Sequence, residues 1–201
     1  MPRIVDADQR RRELTAVTAR EIARVGLDRL TLRDVARAAG WTTGIVSHYF
    51  ADKRDLLLCT FHDQADLAHG RAERLRREGA TAIVAVLESV LPLDEERLTA
   101  WKVWLSFWGA AVGDGELAAA QHDRQLGFAE TIEGALAAEV VAGRLPPGLD
   151  LLTEGHRLVA LVNGVAGQAV FAPERWPAEE QRRVLAEHLA SLAVPSPAPT
   201  R

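Results

Sequence analysis

Cysteine is almost absent from this 201-residue chain. Cys59 is the only one, which excludes an internal disulfide and fits a reducing compartment such as the cytoplasm. It lies in an apolar helical run, Leu56-Leu57-Leu58-Cys59, and reads as a small buried hydrophobe. No apolar run approaches the roughly 20 residues of a membrane span. The N-terminus shows no apolar core ahead of its charged residues, so neither an anchor nor a signal peptide is expected. Glycine-rich phosphate loops, internal repeats and clustered metal-ligand spacings are missing, so no cofactor and no metal are expected. Strand-like alternation is missing too, and the chain reads as all-α with about nine helices.

Positive charge is scarce overall but unevenly placed. The net charge of −4 argues against an indiscriminate nucleic-acid binder. Residues 1–54 carry 11 Lys and Arg against 7 Asp and Glu, a surplus of +4, whereas the remainder stands at −8. A basic head on an acidic body suits a protein that touches phosphates at one end only. The division expected is 1–54, 55–194 and a Pro/Ser-rich tail, 195–201, that is unstructured, as are residues 1–5.

The basic part contains the chain's most informative stretch, Thr31 to Leu57. Leu32, Val35, Ala36 and Ala39 recur at helical spacing, with Thr31 as a candidate N-cap and Gly40 where a helix end favours positive φ. Thr42 or Thr43 then caps a second, shorter helix to about Tyr49. This is helix-turn-helix spacing, in which the second helix enters the DNA major groove. Thr42, Thr43, Ser47 and His48 offer hydrogen-bonding groups, and Gly44 lets the backbone approach closely. Ile45, Val46 and Phe50 are the apolar residues, and at least some of them must hold this helix to its neighbours. Before the motif, a first helix is expected from about Asp6 to Val25, opening with Gln9-Arg10-Arg11-Arg12.

Thr31, Val35-Ala36, Ala39-Gly40, Gly44, His48-Tyr49-Phe50, Lys53 and Leu56-Leu57 together resemble the N-terminal signature of the TetR family of transcriptional regulators. The His-Tyr-Phe triplet resembles the BetI-like branch, which responds to choline. Trp41 departs from the pattern, which usually has a smaller apolar residue there. The resemblance implies a homodimer on double-stranded, pseudo-palindromic operator DNA, released by a small-molecule effector. It implies Arg33, Thr42, Thr43, Ser47 and His48 at base edges, with Thr31, Tyr49 and Lys53 on phosphates. The competing class is an all-α small-molecule-binding protein with an incidental helix-turn-helix.

The body is expected to hold helices at about Lys53–Arg77, Ala80–Val90, from Asp94 to the Gly113-Asp114-Gly115 break, Glu116–Ala142, Leu149–Phe171 and Pro177–Leu192. Three of the chain's five tryptophans fall within Trp101–Trp108. Trp101, Trp104 and Trp108 are spaced to share one helix face, with Phe107 beside them. They read either as core or as the wall of a pocket, where indole faces attract a cation. His122 and Asn163 are polar groups in otherwise apolar helices and complete the candidate ligand set. His122-Asp123 lacks the neighbours of a metal site or a nucleophile, so no catalytic residue and no enzymatic activity are expected.

The last two helices carry Leu161, Val165 and Gln168, then Val184, His188 and Leu192. The eighth is apolar on more than one face, so it must be buried within the subunit or against another. The resemblance implies the second, a four-helix bundle formed by these two helices from each of two subunits.

Overall fold

A computed structural model describes residues 7–193. Residues 1–5, Asp6 and the tail 195–201 lie outside the described residues. Among those described there are nine helices and no strand: α1 (Ala7–Val25), α2 (Leu32–Ala39), α3 (Thr43–Tyr49), α4 (Lys53–Arg77), α5 (Ala82–Val90), α6 (Glu95–Ala111), α7 (Gly115–Val141), α8 (Leu151–Phe171) and α9 (Ala178–Leu192). The all-α expectation holds, and helix boundaries differ from it by a residue or two. α5 starts after Thr81 and α8 after Asp150, whose carboxylate accepts the Thr153 backbone N–H at 3.1 Å and so caps the helix. Pro177 stands at the N-cap of α9 rather than inside it.

The chain forms two compact units. The first comprises residues 1–68 and 95–124, the second residues 69–94 and 125–201. In the first unit, α1 packs against α2 and α6, and α2 against α3. Its core includes Leu14, Ile22, Leu30, Val35, Val46, Phe50, Leu56 and Val103, all buried. The periodicity of Leu32, Val35, Ala36 and Ala39 is thus the inner face of α2.

In the second unit, α8 packs on α9, and its buried residues include Leu158, Val162, Val165, Ala166 and Ala169. Gly155, also buried, faces α7: a Cβ there would lie 2.9 Å from Glu133 Cγ, so a larger residue would have to displace that side chain. Glu154, 2% exposed, meets His188 Nε2 at 2.5 Å and accepts from Arg157 Nη1 at 3.2 Å, so a carboxylate in the core has its partners. The buried Gln181 amide spans the carbonyls of Pro92 (3.3 Å) and Trp176 (2.8 Å).

Candidate nucleic-acid interface and aromatic core

The interface begins with two helix caps. Thr31 Oγ1 accepts the Asp34 backbone N–H at 3.2 Å, and Asp34 Oδ2 accepts the Thr31 backbone N–H at 3.2 Å, a reciprocal capping box. The Thr31 hydroxyl also donates to Asp34 at 2.6 Å, and these bonds, with Arg37 nearby, hold the Asp34 carboxyl below its ordinary range. At the other end of α2, Gly40 adopts φ 71°. Its N–H reaches Arg37 O at 3.1 Å, and that of Trp41 reaches Ala36 O at 2.8 Å. This pair of bonds is a Schellman closure, and it sets the sharp turn into α3. Thr42 caps α3 by accepting the Ile45 N–H at 3.4 Å.

α3 has one inner residue, Val46, which is fully buried. Phe50, just past its end, is buried beside it. Thr42, Thr43, Gly44, Ser47 and His48 all face solvent, as do Thr31 and Arg33. Tyr49 is half-buried. Of the three apolar residues, Val46 and Phe50 hold the helix, and Ile45, 42% exposed, lies on the open face. Arg10, Trp41, Thr42, Gly44, Ile45, His48 and Tyr49 line a groove of about 480 Å³.

α1 holds this face in place. The Arg10 guanidinium lies 4.9 Å from the Trp41 ring centroid, and Trp41 leans on Tyr49 at 6.4 Å. Arg11 lies 4.7 Å from the centre of Phe50 and donates to the Tyr49 carbonyl and, at 3.2 Å, to Cys59 Sγ. The unusual Trp41 is therefore a platform for an α1 arginine. Cys59 is half-buried, and burial with the neighbouring Asp55 pushes its thiol pKa up, away from reactivity. Lys53 reaches back to the Leu27 carbonyl with Nζ at 3.0 Å.

In the same unit, α6 carries the aromatic cluster. Trp101, Trp104 and Phe107 are each 1% exposed, and Trp108 is half-buried. Trp101 meets Trp104 edge-on at 5.3 Å and Trp108 at 6.0 Å, and Phe107 stacks on Phe61 of α4 at 3.9 Å. Over this cluster lies Arg124 of α7, its guanidinium 4.7 Å from the Trp104 ring and 5.7 Å from Phe61. Burial pushes the Arg124 pKa down to about 10. His122 and Asp123 face solvent, and Asn163 is half-buried on α8 in the second unit.

Sequence reading passed over Arg124 and Gln121 for the adjacent His122-Asp123. Helical phase was the available signal. Counted from the buried Leu117, Gln121 and Arg124 fall four and seven residues on, along the inner stripe, and His122 and Asp123 fall between. On the assembly helices, Val165 is buried, Gln168 is exposed, and Leu161, Val184, His188 and Leu192 are half-buried. Phe171 at 81% and Leu152 at 57% are exposed apolar residues at opposite ends of α8. Among the described residues, no three His, Cys, Asp or Glu side chains gather as metal ligands, and no helix is long and apolar enough to cross a membrane.

A capped, two-helix turn with an exposed polar second helix, set in an all-α chain, defines the class of helix-turn-helix transcriptional regulators. Residues 14–59 match the model of bacterial regulatory proteins of the tetR family, and residues 79–194 that of the BetI-type transcriptional repressor C-terminal region. The chain belongs to the TetR family of transcriptional regulators, in its BetI-type branch. It is 29% identical over 197 residues to the HTH-type transcriptional regulator BetI of Cronobacter sakazakii, covering 94% of this chain and 93% of that one. To the HTH-type transcriptional regulator PksA of Bacillus subtilis it is 26% identical over 197 residues, with 96% and 95% covered. A crystal structure of a transcriptional regulator from Saccharomonospora viridis in complex with choline superposes with a TM-score of 0.82 at 22% identity, over 94% of this chain and all of that one.

Proposed function

We propose that this regulator is a cytoplasmic homodimeric repressor that holds a pseudo-palindromic operator and leaves it when a small molecule binds. Its activity is binding rather than catalysis. Residues 1–54 are the DNA-binding domain, and 55–194 bind the effector and dimerise. Arg33, Thr42, Thr43, Ser47 and His48 read base edges, Gly44 admits the backbone, and Thr31, Tyr49 and Lys53 contact phosphates. The observation that carries this reading is the outward polar face of α3, braced by a buried Val46 and by two α1 arginines.

Dimerisation rests on α8 and α9, through Leu161, Val165, Gln168, Val184, His188 and Leu192, with the exposed Phe171 at the end of α8. Two short recognition helices on a two-fold axis bind as one ligand, which raises affinity far above that of either alone.

The effector is held by the tryptophan-rich α6, with Trp101, Trp104, Phe107 and Trp108 as walls. Choline, bound in the Saccharomonospora viridis protein, is the first compound to test, because indole faces attract quaternary ammonium groups. A different hydrophobic or cationic compound is the second reading. The ligand works only through its unequal affinity for the DNA-bound and free conformations. Fluorescence anisotropy with duplexes from around the protein's own coding region, with and without choline, tests both parts. Specific, salt-dependent binding supports the regulator, and absence of DNA binding at low ionic strength refutes it.

A further inference from the structure

We propose that the α6–α7 core is a carboxylate site, in which Arg124, Gln121 and the indole N–H groups of Trp104 and Trp108 receive the anionic head of the effector. This rests on the reading that a small-molecule effector binds in this unit, and it puts an acid in the place of choline as the compound expected there.

Five buried side-chain atoms here have no hydrogen-bond partner: Arg124 Nε, Trp104 Nε1, Trp108 Nε1, and both Nε2 and Oε1 of Gln121. Buried polar atoms are normally satisfied, and an indole N–H in a core usually finds an acceptor. One contact joins the two helices here: the Arg124 guanidinium lies 4.7 Å from the Trp104 ring, with Trp108 one turn on along α6 and Gln121 three residues before Arg124 on α7.

Their chemistry has a sign. Four are donors and one is an acceptor, and one donor belongs to a permanent cation. What is missing is an acceptor with negative charge. A carboxylate offers about four lone-pair sites on two oxygens, matching the donors in number, and Arg binds it with two parallel bonds. One arginine calls for one charge, so a monocarboxylate fits better than a phosphate dianion. The flanking rings of Trp101, Phe107 and Phe61 suit an apolar body behind the acid group.

A quaternary ammonium group fits poorly at this spot. The Trp104 face that would attract it already carries the Arg124 guanidinium, and a second cation would meet repulsion in a low-dielectric setting. Water could satisfy each donor singly, but it would leave the half-buried guanidinium, whose Nε is out of solvent, without a counter-charge.

Isothermal titration of the full-length protein with indole-3-acetate and phenylacetate, beside indole-3-acetamide, phenylacetamide and choline, tests the site. Each amide keeps the shape of its acid and removes the charge. At least one acid should bind about 10-fold or more tighter than its amide, as expected of charge-assisted hydrogen bonds. Arg124→Met should abolish that preference, and Arg124→Lys should keep part of it. Arg124→Met should also melt at the same or a higher temperature, since it removes a half-buried charge whose Nε has no partner. The proposal is overturned if no acid outbinds its amide, if the preference survives Arg124→Met, or if choline binds tighter than every acid. The wild-type acid–amide comparison needs no variant, so misfolding cannot obscure it. DNA binding measured in parallel separates the two readings. DNA binding without acid preference ends the carboxylate site alone, and acid preference without DNA binding ends the regulator reading alone.

Discussion

Arg54, at the start of α4, grips Asp114, in the turn before α7, through both terminal guanidinium nitrogens, at 2.8 and 2.5 Å. A third contact reaches Glu116 at 3.1 Å. Asp114 also accepts the backbone N–H groups of Glu116 (3.1 Å) and Leu117 (3.2 Å), so the residue that caps α7 is held by the residue that follows α3 and its short turn. Within this unit the clamp is a direct link from the recognition segment to the helix bearing Arg124.

The clamp predicts a pH signature. The Arg54 guanidinium and the two N–H bonds hold the Asp114 carboxyl far below its ordinary value of 3.8. A depressed folded pKa means that stability is present above the ordinary value and is lost as pH falls through the folded one. Asp114→Asn should therefore lower the melting temperature at neutral pH, and the gap to wild type should narrow only below about pH 4. A gap that closes between pH 7 and pH 5 would contradict this assignment. Arg54→Ala should lower the melting temperature too, and should weaken the effect of any effector on DNA affinity more than it weakens effector binding.

DNA contacts are predicted to separate by type. Lys53→Ala should weaken binding to every duplex and reduce the salt slope by about one phosphate contact. It also frees the Leu27 carbonyl, so a small loss of stability should accompany it. Thr43→Ala should instead change sequence preference, by about 1 kcal/mol at the position it reads. Anisotropy across a salt series with matched and mismatched duplexes distinguishes the two. An unchanged salt slope in Lys53→Ala would remove that lysine from the interface.

Val46→Ala should cost about 2 kcal/mol, because the side chain is fully buried and its loss leaves a cavity under α3. Chemical denaturation measures it. DNA affinity should fall as well, through a loosened recognition helix, although Val46 itself touches no solvent.

Light scattering should give twice the 21.9 kDa chain mass. Phe171→Glu places a charge on a side chain 81% exposed within one chain, so it should leave the fold intact and shift the protein toward monomer. A Phe171→Glu protein that remains dimeric would move the interface away from the end of α8.

Local signals made the helix-turn-helix legible. Thr31, Gly40 and Thr42 act through hydrogen bonds to residues three to five positions away, so their types and spacing carry the geometry with them. The buried face of α2 followed from periodicity alone. Trp41 was harder to place, since its partner Arg10 lies 31 positions earlier and no local rule connects them. Apolarity alone does not say which of Ile45, Val46 and Phe50 pack, since a buried Val46 with Phe50 beside it suffices to anchor so short a helix and Ile45 is left open.

By itself, the order of residues determined the helical class, the capped turn and the family, because these depend on neighbours along the chain. Tertiary structure alone decided what surrounds each side chain. It set Arg124 over Trp104 and Arg54 against Asp114, 60 residues away, and it turned Gln121 inward while leaving His122 in solvent. Burial and the absence of a counter-charge are sums over segments remote in sequence, and no local pattern encodes such a sum.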